Sequence, residues 1–211
     1  METFGAMVLL AGAYAVGAIP WGVVIGRQFA STDLRKHGSK STGTTNAYRV
    51  LGWRVSVAVL VLDMLKGAVP VLVARWVDAN WWIVAAVGVA TVIGHCWSPF
   101  IRFDGGKGMA TGAGAIAAMV PWVLLVFPLM VLIVAVTRYV SLASMVGTAI
   151  AAVGLVVAAF MGWAPIEAAI ACVAVLAIIL LRHQGNIQRL LEGKERRLTR
   201  RSRQIETPHV S

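Results

Sequence analysis

Charge is scarce in this sequence. Only 13% of its 211 residues are charged and 59% are hydrophobic, whereas an average globular domain carries roughly a quarter charged residues. Acids are rarest, nine against nineteen lysines and arginines. Cysteine is nearly absent: Cys96 and Cys172 are far apart, in apolar surroundings, and form neither a metal-ligand spacing nor a disulfide framework. They read as inert buried thiols. The opening stretch, METFGAMVLLAGAYAVGAIPWGVVIG, lacks a basic leading region and exceeds the apolar length of a removable signal. A first transmembrane helix is the expectation there.

What is present in quantity is apolar sequence of membrane length. Six runs lie at about 4–26, 53–75, 81–101, 109–136, 140–160 and 165–181, so the chain reads as an all-α, polytopic transmembrane bundle. Its length suits one transmembrane domain over residues 1–197, followed by a basic tail at 198–211. Basic residues crowd two places. Arg27, Arg35, Lys36, Lys40, Arg49 and Arg54 face a single acid, Asp33, and the segment from Arg182 to Arg203 holds eight more. Both belong on the cytoplasmic side by the positive-inside rule. No aromatic-interleaved basic platform accompanies them, which argues against a nucleic-acid partner.

Placing both basic segments inside requires an even number of crossings between them. The 28-residue run 109–136 resolves the parity, because Pro121 interrupts it and proline breaks a helix near its own position. Splitting it into helices at about 109–120 and 122–137 gives about seven helices. The N-terminus is then outside and the C-terminus cytoplasmic.

Three polar islands then share one face. In GSKSTGTTNAYR, Gly38–Arg49, the glycines and hydroxyls suit a curled backbone, and Thr44, Thr45 or Asn46 can cap a following helix. A helix start is a ready anion site, and Arg49 can clamp a phosphate. An ordinary capped loop fits the same residues equally well. In FDGGKGMATG, Lys107 is fenced by Gly105, Gly106 and Gly108. A nucleotide loop would need glycine where Ile101 stands and a hydroxyl after the lysine, where Gly108 stands. That excludes nucleotide hydrolysis but leaves a lysine and pliant backbone suited to an anion. In RHQGNIQRLLEGKERR, His183 and Asn186 stand at i and i+3, in reach of a hydroxyl and a phosphate together. Asp63 and Lys66, also at i and i+3, fall near the middle of the second run. Intramembrane charge points to function unless the pair merely neutralises itself. His95 faces a similar choice.

Other chemistries lack their residues. There is no GxSxG elbow, no HExxH and no cysteine–histidine cluster. No metal or cofactor is therefore expected. A phosphorylated substrate meeting an acyl chain fits what remains.

The ordered series GSKSTGTTNAYRVLG, DMLKG, GHCWSPFIRFDGGKGMATG, RYVSLAS and RHQGNIQRLLEGKE resembles the bacterial acyl-phosphate-dependent glycerol-3-phosphate acyltransferases. The resemblance implies a seven-helix inner-membrane enzyme with its site at the cytoplasmic face. It implies direct transfer of an acyl group from acyl phosphate to the 1-hydroxyl of glycerol 3-phosphate, giving lysophosphatidate and phosphate. By position, it implies that Ser39 and Arg49 contact the glycerol phosphate and that Lys107 binds phosphate. Gly105, Gly106 and Gly108 form the loop around it, Thr45 and Asn46 join the substrate-binding residues, and His183 and Asn186 complete the pocket. The usual GSGNxGATN pattern is altered here by Lys40, Ser41 and Thr44. The chief rival is a transporter of a phosphorylated or anionic solute, which inverted repeats and midplane polar residues would favour. A scaffold that recruits lipid enzymes through the basic tail leaves the glycine-rich loops unexplained, and acyl-CoA is an alternative donor within the enzyme reading.

Overall fold

The computed structural model describes residues 3–198. Ten α-helices and no strand are found among them: α1 Thr3–Ala18, α2 Trp21–Ala30, α3 Thr44–Leu51, α4 Trp53–Trp76, α5 Trp81–Cys96, α6 Met109–Met119, α7 Phe127–Thr137, α8 Val140–Phe160, α9 Ile166–Arg182 and α10 Gln184–Leu191. Four units are long and apolar enough to cross a membrane: Thr3–Ala30, Trp53–Trp76, Trp81–Ile101 and Val140–Phe160. The pair α9 and α10, bent by 62°, makes a fifth if counted as one, and two shorter apolar units lie at Met109–Met119 and Pro121–Thr137. The polytopic helical bundle is as expected. Its apolar side chains also face outward, as lipid requires: Val57, Val61, Leu65, Val69 and Val73 form an exposed stripe along α4 at one-turn spacing.

Three expectations need correction. The first run is not one helix. Pro20, which has no N–H to donate, separates α1 from α2. The carbonyls freed by this break still need donors in an apolar medium. Ser98 Oγ donates to Ala18 O at 2.6 Å, and Lys66 Nζ donates to Ile19 O at 2.7 Å. Second, Pro121 does split its run, but a 3₁₀ segment over Pro121–Val126 precedes α7. Third, Gly43 is the N-cap of α3 and no side chain caps it. Asn46 is drawn elsewhere, as described below. Of the expected tail 198–211, all but Leu198 lies outside the described residues.

Small residues set the helix spacing. A Cβ on Gly67 of α4 would overlap Thr111 O, and one on Gly114 of α6 would overlap Met64 O. The two backbones therefore approach closely, the usual basis of helix association in lipid. The main core joins α4, α5, α6, α8 and α9 through residues such as Val71, Val87, Ala115, Leu155 and Val175. A second, smaller cluster (Ile25, Leu34, Ala47 and Val59) fastens α2, the following loop and α3 onto the first half of α4. This cap carries the first polar island.

Candidate active site

The cap loop is organised by one side chain. Asn46 is 1% exposed. Its Nδ2 donates to the carbonyls of Leu34, His37 and Ser41 at 2.9, 3.1 and 2.8 Å, and its Oδ1 accepts from Ser39 N–H at 2.8 Å. With donors and acceptor spent on backbone, Asn46 shapes the loop that presents Ser39. Thr45 is half-buried in the first turn of α3. Arg49, one turn further, donates from a terminal nitrogen to Arg196 O at 3.2 Å, and Arg196 in turn donates to Gly38 O at 2.8 Å.

The second island folds back onto α5. Gly105 N–H donates to Cys96 O and Gly106 N–H to His95 O, both at 3.1 Å, satisfying carbonyls that a helix C-terminus leaves free. A Cβ at Gly105 would overlap His95 O, and one at Gly106 would overlap His95 Nε2. These two glycines thus turn their N–H groups inward and permit close packing. Gly108, at φ +82°, adopts a left-handed conformation that glycine tolerates best and starts α6. The first intrahelical bond there runs from Gly112 N–H to Gly108 O at 2.7 Å, so the first turn of α6 offers N–H donors and the positive helix end beside Lys107.

Lys107 Nζ donates to Asn186 Oδ1 at 2.5 Å, joining the second island to the third. Asn186 Nδ2 donates to Glu195 Oε1 at 2.6 Å, and the same oxygen accepts from Ser141 Oγ at 2.8 Å. Arg189 Nε reaches Glu195 Oε2 at 2.9 Å. Glu195 is only 5% exposed at its side chain. Burial pulls the Lys107 ammonium down to about 8, opposed by the Glu195 charge and reinforced by Arg189, Arg49 and Arg182. Arg182 clamps the loop from α9, donating to Gly106 O at 3.1 Å and Gly105 O at 2.9 Å. His183 sits at the α9–α10 bend, 3% exposed, with Nδ1 2.8 Å from Ile179 O. Burial pulls His183 down to about 4, so the ring is neutral at pH 7, and since a carbonyl can only accept, Nδ1 carries the one proton and Nε2 keeps its lone pair.

The structure thus links Lys107 to Asn186 directly and Arg49 to them through residues 195–196. Ser141, Arg182, Arg189 and Glu195 are not among the residues expected from sequence, although the motifs RYVSLAS and RHQGNIQRLLEGKE contain them. The one usable signal was Glu195, an acid inside a run of arginines in a chain with nine acids. Among the described residues no group of three or more His, Cys, Asp or Glu is placed to hold a metal ion. Chemically, the cluster sets four cations, Arg49, Lys107, Arg182 and Arg189, against Glu195 and an Asp104 that is 85% exposed. That surplus suits phosphate groups.

Comparison with known proteins agrees. The family model described as glycerol-3-phosphate acyltransferase matches residues 7–193. Curated proteins of that name include one from Geobacter sulfurreducens, 45% identical, covering 90% of this chain and 96% of the relative. One from Rubrobacter xylanophilus is 40% identical and covers 90% and 93%. Among solved structures, the glycerol 3-phosphate form of PlsY (YgiH), an integral membrane glycerol 3-phosphate acyltransferase, is 38% identical with a TM-score of 0.85, covering 92% of this chain and 96% of that one. Its lysophosphatidic acid form is 36% identical with a TM-score of 0.83 and the same coverage. The chain belongs to the glycerol-3-phosphate acyltransferase family.

Proposed function

We propose that this chain transfers an acyl group from acyl phosphate to the 1-hydroxyl of glycerol 3-phosphate at the cytoplasmic face of the inner membrane. The observation that carries the reading is the linked cation cluster Arg49, Lys107, Arg182 and Arg189 around buried Glu195. It sits beside the first turn of α6, in a bundle whose outer surface is apolar. Ser39 and Arg49 hold the glycerol phosphate. Lys107 and the first turn of α6 hold the phosphate of the donor, with Asn186 fixing the lysine. The lone pair on His183 Nε2 accepts a hydrogen bond from the attacking hydroxyl and orients it. The hydroxyl oxygen bonds to the acyl carbon, the carbon–oxygen bond to phosphate breaks, and the hydroxyl proton passes to a phosphate oxygen. Glycerol-linked ester and inorganic phosphate result, with no acyl-enzyme. The protein contributes orientation and charge neutralisation.

The test is incubation of purified protein with labelled glycerol 3-phosphate and either acyl phosphate or acyl-CoA. Labelled lysophosphatidate with acyl phosphate alone is expected; none with any donor defeats the reading. A reporter fused after Arg203 is expected inside the cell, and an external reporter would overturn the orientation.

A further inference from the structure

Asp63 and Lys66 are 2% and 4% exposed and 2.9 Å apart. Burying an ion pair costs several kcal/mol per charge before attraction repays it, so such a pair is weak evidence of stability alone. Their position is informative. They do not sit in isolation at mid-helix: Lys66 reaches Ile19 O at the α1–α2 break, and Asp63 Oδ1 lies 3.7 Å from His95 Nδ1 in the last turn of α5. The pair is therefore level with the end of α5, directly below the glycine–lysine loop. The opposite edge of the His95 ring supports Gly106, where a Cβ would overlap Nε2. His95 O also accepts the Gly106 N–H. Arg182 grips the same two residues, Gly105 and Gly106, by their carbonyls.

We propose that Asp63, Lys66 and His95 are positioning residues, a buried charge cluster that fixes the Gly105–Lys107 loop against the α1–α2 break and so sets where Lys107 meets the donor phosphate. The contacts run from Ile19 to Lys66 and Asp63, cross a 3.7 Å approach from Asp63 Oδ1 to His95 Nδ1, and continue from His95 to Gly106 and its neighbour Lys107. A pair that merely neutralised itself would need neither the Ile19 carbonyl nor the imidazole under the loop. Displacing a phosphate-binding lysine by about 1 Å is enough to reduce turnover severely.

The inference rests on the acyltransferase reading, and two measurements keep them separate. Calorimetry with inorganic phosphate, run at saturating glycerol 3-phosphate so that Ser39 and Arg49 are already occupied, reads the loop, and steady-state kinetics read the reaction. The variants are His95→Ala, His95→Asn, which retains an amide donor toward Asp63, and the doubly neutral Asp63→Leu/Lys66→Met, which removes both charges at once. For His95→Ala and the double variant we expect phosphate Kd and acyl-phosphate KM to rise about tenfold at temperatures where each variant stays folded, and the double variant to melt lower because Ile19 O loses its side-chain donor. In the His95 variants the glycerol 3-phosphate KM should stay within about threefold, and His95→Asn should restore most of the loss. Wild-type phosphate Kd in His95→Ala overturns the proposal, as does an Asn variant no better than Ala. If the double variant does not insert, the His95 pair decides. A wild type that binds phosphate without turnover defeats the acyltransferase reading but not this one; neither binding nor turnover defeats both.

Discussion

Burial lowers Lys107 to about 8, and that gives the site a signature in pH. A lysine whose ammonium is depressed is cationic below that value and neutral above it, so whatever depends on its charge is present at neutral pH and lost as pH rises through about 8. At pH 7 roughly nine in ten Lys107 side chains carry a proton, and at pH 9 roughly one in ten. If the charge holds the donor phosphate, kcat/KM for acyl phosphate should fall about tenfold across that interval. The limb in kcat should lie higher, because bound phosphate favours the charged lysine. Steady-state assays of purified enzyme at fixed ionic strength measure both.

Lys107→Arg isolates the cause. A guanidinium remains protonated throughout the range, so the alkaline limb should disappear up to about pH 10 even if the absolute rate drops through altered geometry. Lys107→Ala should lose roughly 100-fold or more in kcat/KM at every pH while the protein still inserts. A wild-type profile flat to pH 9.5 would refute the lowered Lys107 value, and an unchanged limb in Lys107→Arg would show that another group titrates and would remove Lys107 from the role given to it.

Three further outcomes follow from the same contacts. Glu195→Gln removes the charge that raises Lys107, so the alkaline limb should move to lower pH; a limb that stays or rises contradicts the cluster's electrostatics. Gly106→Ala places a Cβ into His95 Nε2, and should weaken phosphate binding severely, with partial recovery on adding His95→Ala because the obstructing atoms all belong to that ring. Asn46→Ala deletes the side-chain hydrogen bonding of a buried residue to four backbone groups and should destabilise by about 2–4 kcal/mol, read as a lowered melting temperature in detergent; a loss of activity at unchanged melting temperature would instead make Asn46 a direct ligand.

Much of this was legible in the sequence because hydropathy and proline are local signals. The span at Val140–Phe160 follows from uninterrupted apolar length, the span at Trp53–Trp76 from apolar residues on either side of Asp63 and Lys66, and the break at Pro121 from a missing N–H. Pro20 carries the same signal but was absorbed into a run long enough to cross by itself. Pro70 shows why proline alone is ambiguous, since it sits inside α4 without ending it. The polar islands were legible as motifs, whereas the contacts their side chains make were not. Whether Asn46 contacts a ligand or a loop depends on where three carbonyls twelve residues or fewer upstream happen to lie, which periodicity does not encode.

The buried charges show the same limit most clearly. Counting along the second apolar run puts Asp63 and Lys66 near its centre, the position expected for a transport site. Helix α4, however, extends well past its neighbours at its N-terminal end, where α2 and α3 pack on it. Asp63 is thirteen residues from Trp76, or about 20 Å, and is level with the last turn of α5 through His95. Depth in a bundle is set by which neighbouring helices end at that height, and here α1 and α5 both end beside the pair. The charges that most favoured a transporter on sequence thereby become the floor of a site whose remaining polar residues lie at the same ends of the helices, and the transporter loses the one feature that spoke for it.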